Sequence, residues 1–396
     1  MSICESAVEP LSDAIAGSGD TKILRRLFSV RSLPLGIRND RYLIELECLR
    51  GVAVVLVFVF HCWGIMGGKE ARPGGVFEVI AATGNTGVTL FFVLSGFLLA
   101  QPWLRYYFGM TNQTPSLRRY IAARSLRILP LYYAVIGFAA FHLDSSSLLL
   151  PAATFQMLGF QYFPYSTVWW TLITEVQFYL ALPICGFLLI YSRMTRILLA
   201  SLLALWLICF LIFVIGPKEP IEGFMLTKSL FSRAPAFLFG IVIGALYLNN
   251  TAQTFLTTKR RTLTLAVALT ALYYLLYLIS RTSSRETETL WPTLHLWEGL
   301  CWALATFALA NGRDAFCWLR VLERPLAFLG KISYSIYLLH VPILFYLIYP
   351  ATSKNTASTV LVLLALAGAV LTVLASTVTY LLIERPALKL KGTLGT

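Results

Sequence analysis

Charge is what this chain has least of. Asp, Glu, Lys and Arg make up 13% of its 396 residues, about half the share of an ordinary soluble domain. Acidic residues are the scarcer kind, 19 against 32 basic, for a net charge of +13. That excess does not mark a nucleic-acid partner, because the basic residues fall between apolar runs and mostly on alternate loops, the positive-inside pattern. Alternating apolar and polar strands are absent, which excludes a membrane barrel. The seven cysteines (Cys4, Cys48, Cys62, Cys185, Cys209, Cys301, Cys317) show neither paired nor metal-type spacing, so no disulfide framework and no metal site is expected. Residues 1–40 are polar and mixed with no early apolar core, so no cleavable signal peptide is expected. No sequence repeat stands out, which weakens a transporter built from repeated halves.

Apolar residues fill the rest. They make up 58% of the chain, the mean hydropathy is +0.73, and stretches near the length that crosses ~30 Å of hydrocarbon recur from end to end. The sequence predicts an all-α, polytopic transmembrane helical bundle of ten spans: 44–67, 86–107, 128–143, 169–191, 197–215, 230–248, 263–280, 295–311, 332–349 and 358–383. With that division 23 Lys and Arg fall on one side, seven on the other, and Arg50 and Arg233 lie inside spans. The asymmetry puts both termini in the cytoplasm of a multi-pass protein of the cell (inner) membrane. Residues 1–40 are then a flexible cytoplasmic segment, 41–390 the membrane domain and 391–396 a short cytoplasmic tail.

Ionisable groups at membrane depth are costly, so each needs a reason. The first span reads LECLRGVAVVLVFVFHC. Arg50 and His61 are separated by about three full turns, so they share one face roughly 16 Å apart, and Glu47 joins them one turn before Arg50. A neutral imidazole there suits a general base that takes the proton of a hydroxyl as its oxygen attacks an acyl carbon. The plainer alternative is a histidine bonded to a neighbouring span. Farther on, SLRRYIAARSLRILPLYY places Arg118, Arg119, Arg124 and Arg127 as a cationic collar at the cytoplasmic face. Guanidinium forks suit phosphate, so a phosphate-bearing donor such as coenzyme A fits, beside the alternative of simple anchoring. Pro130 is read as a helix-opening residue.

In WWTLITEVQFYLALP, Glu175 enters an apolar run, with Arg50, Arg233 or His61 as expected partners. Ser95-Gly96, within GVTLFFVLSGFLLA, reads as a notch for close helix packing. His340, close to Pro342 in ISYSIYLLHVPIL, reads as structural or catalytic, and His142 and His295 as ordinary span-end residues. Glu384-Arg385 reads as a solvated pair, and the aromatics Phe155, Phe160, Tyr162, Phe163 and Tyr165 as belt anchors or sugar-stacking rings.

Taken together these segments resemble the membrane-bound acyltransferase-3 family, multi-span acyl transferases that modify surface polysaccharides and related glycosides. Six segments match in order over residues 41–390: the opening arginine–histidine span, FFVLSGF, RSLRILPLYY, WWTLITEVQFYLALP, LGKISYSIYLLHVPIL and LLIERPALKL. The resemblance implies that Arg50 and His61 are the essential pair, with Glu175 beside them, and that Arg124 and Arg127 engage the donor, usually acetyl-coenzyme A. The chain departs from the pattern at Val176, where a second glutamate is frequent, and at Glu47-Cys48, where aspartate and glycine are usual. The family's frequent extracytoplasmic hydrolase-like domain is missing, which leaves room for a companion protein or a small acceptor. The leading expectation is therefore O-acyl transfer from cytoplasmic acyl-coenzyme A to a hydroxyl of a carbohydrate or glycoconjugate. The alternative is a transporter or flippase for a glycoside or anionic small molecule that uses the same charges as its pathway.

Overall fold

The structure, a computed structural model, describes residues 44–67, 75–144, 147, 149–156, 168–216, 226–249, 257–282, 284–310, 320–352 and 358–393. The N-terminal segment 1–40 and the loop aromatics Phe160, Tyr162, Phe163 and Tyr165 lie outside them. Every described element is helical, with no strand among the described residues.

The first described helix, α1, spans Ile44–Ile65. The short α2 (Val76–Ala82) and α3 (Thr86–Leu99) follow, with a 65° bend between them, then α4 (Gln101–Tyr107), α5 (Leu117–His142) and the short α6 (Leu149–Ala153). Next come α7 (Trp170–Tyr191), α8 (Arg193–Ile215), α9 (Leu230–Leu248) and α10 (Thr258–Arg281). The chain closes with α11 (Ser284–Ala310), α12 (Arg320–Lys331), α13 (Ser333–Ile348) and α14 (Ser358–Thr379), which runs through a π-turn at Tyr380–Glu384 into α15 (Arg385–Thr393).

Among the described residues eight helices are long and apolar enough to cross a membrane, nine if the bent α2–α3 pair is one span. This is an all-α polytopic bundle, with a difference from the ten expected spans. The stretch expected at 295–311 is helical, as the second half of α11, but His295 and Glu298 interrupt its apolar run and it is not among the eight. The second expected span begins earlier in space than in sequence, because α2 approaches at an angle before α3 turns inward.

Local chemistry sets the helix starts. Ser116 accepts from the Arg119 amide and opens α5, so Pro130 lies well inside a helix rather than at its beginning. Ser192 and Thr195 cap one another's backbone at the start of α8, and Thr257 caps α10. Such caps satisfy amides that have no carbonyl partner in the first turn.

The centre of the bundle is made by small residues. At the α3–α9 crossing, a Cβ on Gly96 would sit 2.1 Å from the Phe237 carbonyl oxygen, and one on Gly240 would sit 2.1 Å from that of Val93. The packing notch expected at Ser95-Gly96 is thus the contact between α3 and α9, where only glycine lets the backbones meet. α9 packs also on α11, α11 on α10, α14 on α13 and α15 on α5. Burial follows position. In α13, Ser335, Leu338, His340 and Leu344 have no exposed surface, while α8 turns Leu202, Leu205, Ile208, Leu211 and Ile212 outward. In a bilayer those side chains face hydrocarbon.

Candidate active site

One cavity of about 120 Å³ opens between α1, α3, α5, α7 and α13. Its walls are apolar, from Phe91, Phe92, Leu94, Leu98 and Leu172, but its polar groups converge: Arg50, Arg124, Arg127, Glu175, Ser95, Thr171, Ser333 and the tyrosines 179, 334 and 337. Four of the seven residues singled out from sequence therefore meet at one void, though they come from three helices.

Arg50 pairs with Glu47 at 3.6 Å, as its i,i+3 spacing predicts, and donates to the Ser333 hydroxyl at 3.2 Å. Glu175 differs from expectation. Its carboxylate accepts from the Ser95 hydroxyl at 3.2 Å and from the Tyr179 hydroxyl at 2.5 Å, rather than from Arg50, Arg233 or His61. Ser95 lies on α3 directly before the Gly96 crossing, so the glycine contact that brings α9 in also sets the height of this hydroxyl.

The arginine collar divides. Arg118 and Arg119 sit in the first turn of α5 and are exposed, whereas Arg124 and Arg127, one and two turns on, line the cavity. Arg127 is held by Glu384 at 3.2 Å and lies over the Tyr334 ring at 5.8 Å. Glu384 is 2% exposed and also accepts from the Ser335 hydroxyl, so it is a buried anchor and not half of a solvated pair. The reason is the π-turn Tyr380–Glu384, which swings this carboxylate inward at the end of α14. π-turns inside α-helices recur at functional sites. Arg124 has no carboxylate within ion-pair distance among the described residues and lies 5.8 Å from the Tyr179 ring centre. Lys331, outside the spans, has its ammonium pKa lowered by burial and then by Arg385, with Glu47 acting in the opposite direction.

His61 is not in the cavity wall. Its ring packs against His340 of α13, with centroids 5.2 Å apart. His340 in turn contacts Tyr337, which does line the cavity, at 5.8 Å. The Tyr337 hydroxyl donates to the Val168 carbonyl and accepts from Thr171, another cavity residue. The arginine–carboxylate cavity and the histidine pair are thus neighbours joined by Tyr337.

A second polar cluster was missed by sequence reasoning. Glu298 of α11 is 2% exposed and binds the His295 Nδ1 and the Thr89 hydroxyl, each at 2.9 Å. Arg233 is buried, donates to the Thr227 carbonyl at 3.0 Å and lies 5.0 Å from the Trp170 ring centre, with Lys228 4.6 Å from the same ring. His295 is thus no ordinary span-end residue. The signal was present in His295 and Glu298 at i,i+3, which stacks both on one face of a helix.

In the arrangement at the cavity, uncompensated positive charge beside a carboxylate and several hydroxyls can hold an anionic group and a hydroxyl together. A family model described as an acyltransferase domain, the acyltransferase-3 model, matches residues 43–381. The chain is also 28% identical over 327 residues to a protein of Acidianus two-tailed virus whose name describes it as an acetyltransferase, ORF330, across 79% of this chain and 87% of that one. Nodulation protein 10 of Rhizobium leguminosarum bv. viciae is 27% identical over 165 residues, 35% of this chain and 42% of that one. No solved structure matches the chain. With five of the six ordered motifs contributing residues to one cavity and a family model spanning nearly all of the membrane bundle, this chain belongs to the acyltransferase-3 family of multi-pass membrane acyltransferases.

Proposed function

We propose that this acyltransferase moves an acetyl group from cytoplasmic acetyl-coenzyme A to a hydroxyl of a carbohydrate or glycoconjugate, in the cell membrane and with both termini in the cytoplasm. The observation that carries the reading is the convergence of Arg50, Arg124, Arg127 and Glu175 on one cavity. The name of the viral relative favours acetyl as the group transferred, and the alternate distribution of basic residues supports the orientation.

The donor's phosphates are anionic, and Arg124 is the cavity guanidinium without a carboxylate partner within ion-pair distance among the described residues. It takes the main charge-assisted contact, and Arg127, fixed by Glu384, supplies a pre-positioned second donor. Arg118 and Arg119 contribute a diffuse attraction at the entrance. His61 removes the proton of the acceptor hydroxyl. The hydroxyl oxygen forms a bond to the thioester carbonyl carbon, the carbon–sulfur bond breaks, and the thiolate takes up the proton and leaves as coenzyme A thiol. Glu175, held by Ser95 and Tyr179, and Arg50, held by Ser333, orient the donor in the cavity so that its thioester end reaches toward His61.

Acetyl release from labelled acetyl-coenzyme A by purified full-length protein, supplied with a panel of glycans, tests the reading. Release that depends on both glycan and Arg124 is the expected result. Accumulation of glycoside in sealed vesicles with no acyl donor present would replace it with transport.

A further inference from the structure

The four histidines of this chain are not equivalent, and His340, beside His61, carries a buried ring nitrogen with no hydrogen-bond partner among the described residues. His340 has no exposed surface. Its Nδ1 lies 3.0 Å from the Ile336 carbonyl oxygen and 2.9 Å from that of Tyr337. Carbonyl oxygens only accept, so Nδ1 carries the hydrogen, and in the neutral ring the lone pair is on Nε2. That Nε2 is buried and makes no hydrogen bond among the described residues. A buried acceptor in this condition requires a reason.

The neighbours of His340 narrow the reason. Three described rings pack on it: Phe58, His61 and Tyr337. Phe58 has no polar hydrogen, and the Tyr337 hydroxyl hydrogen is directed to Val168. α14, packed along α13, has no titratable residue between Ser358 and Thr379. Its Thr372 hydroxyl is buried and is not bonded to His340 or to any other described group. His61 is the ring that can present an N–H, and the two centroids are 5.2 Å apart with their planes inclined by 55°. The hydrogen bond is not closed in this arrangement, and a centroid separation of 5.2 Å leaves room for it when the ring nitrogens face one another. Catalytic hydrogen bonds are often loose before substrate orders them.

We propose that His340 is the positioning residue for His61. Its Nε2 lone pair accepts an N–H from the His61 ring, which leaves the other His61 nitrogen unprotonated and turned toward the acceptor hydroxyl. This rests on His61 acting as the base. It adds that α13, through the Ile336 and Tyr337 carbonyls, determines which His61 nitrogen does so. The nearer arm of the same helix, Tyr337, lines the cavity, so one helix carries both the wall of the donor site and the support of the base.

The test uses full-length protein labelled with ¹⁵N at its four histidines, in nanodiscs. Ring nitrogen shifts distinguish the two neutral tautomers, and His→Gln variants assign the signals. In the wild type His340 is in the Nδ1–H form and His61 is held in one tautomer. In His340→Leu, with thermal unfolding checked, His61 becomes a mixture of tautomers, and the kcat for acetyl release falls about 10- to 100-fold, part of the roughly 10²–10⁴-fold contribution of a general base. The KM for acetyl-coenzyme A is unchanged. In His340→Gln, whose amide oxygen can still accept, a single His61 tautomer and part of the kcat return. This second variant decides the matter if the leucine variant fails to fold. Thr372→Val leaves both readouts as in the wild type. A His61 tautomer unaffected by loss of His340 overturns the proposal while leaving His61 as the base. Full acetyl release by His61→Gln removes the base reading itself.

Discussion

Two groups of charged side chains are buried in this bundle, and they are built differently. Around the cavity, Arg50, Arg124, Arg127 and Glu175 border a void, and Arg124 has no carboxylate within ion-pair distance among the described residues. Around Glu298 the polar groups are engaged by the surrounding helices, Glu298 by His295 and Thr89, and Arg233 by the Thr227 carbonyl and the Trp170 ring. His295, Thr89, Arg233 and Lys228 are in contact or within electrostatic reach, and none of them lines that cavity. Each group carries the same high cost of bringing charge into hydrocarbon. One borders open space, and the other joins helices α3, α7, α9 and α11. An ionisable residue in a membrane span is thus a functional signal when something is left open next to it, and a structural one when its partners are all internal.

The largest separation between the two groups is expected from Glu175→Gln. It keeps the size and one acceptor atom but removes the charge held by Ser95 and Tyr179. Acetyl release falls by about 100-fold, the scale of a lost positioning contact away from the chemistry, while thermal unfolding stays within a few degrees of the wild type. Arg124→Ala comes next. Loss of one charge-assisted hydrogen bond raises the KM for acetyl-coenzyme A by about tenfold or somewhat more, with a smaller change in kcat, as steady-state kinetics with and without added salt would reveal.

Glu298→Ala is the converse case. It removes the carboxylate that binds His295 and Thr89 and lies within electrostatic reach of Arg233, and breaking a buried pair costs about 3–5 kcal/mol of stability. Thermal unfolding in detergent moves down clearly, whereas activity per folded molecule changes by less than about threefold, since no cavity residue is touched. If Glu298→Ala instead abolished turnover in protein that melts normally, the division between the two groups would be lost. The smallest effect is expected from the double variant Arg118→Gln, Arg119→Gln. Both side chains are exposed, so their attraction for an anionic donor is screened by salt within about 8 Å. The KM changes by less than about threefold at physiological salt and more at low salt.

Much of the cavity was legible in the sequence because helices are periodic. The spacing of Glu47, Arg50 and His61 put them on one face, and the ion pair between the first two is where that periodicity places it. The motif arginines, Glu175 and the Ser95-Gly96 notch were likewise found as residues. Their partners were not, since periodicity says nothing about which helices lie side by side. Glu175 meets Ser95 from 80 positions away and Arg127 meets Glu384 from 257. A carboxylate next to arginine in the chain looked like a local pair, and the π-turn that turns Glu384 inward is not visible in a helical pattern. The Glu298 cluster was overlooked for a related reason. Its members lie near the ends of different apolar runs, where polar residues are common, and only the fold shows that they are buried.

The central claim is that the chemistry belongs to His61, next to rather than inside the arginine–carboxylate cavity. The most direct measurement compares acetyl release from labelled acetyl-coenzyme A by wild-type protein and by His61→Gln, in the presence of a glycan that the wild type acetylates. The variant's coenzyme A binding is measured separately, by calorimetry. The account predicts turnover reduced by about 100-fold or more with coenzyme A affinity unchanged, because the base and the donor site occupy different places. Turnover retained in the variant would contradict it, and so would a matching loss of coenzyme A binding.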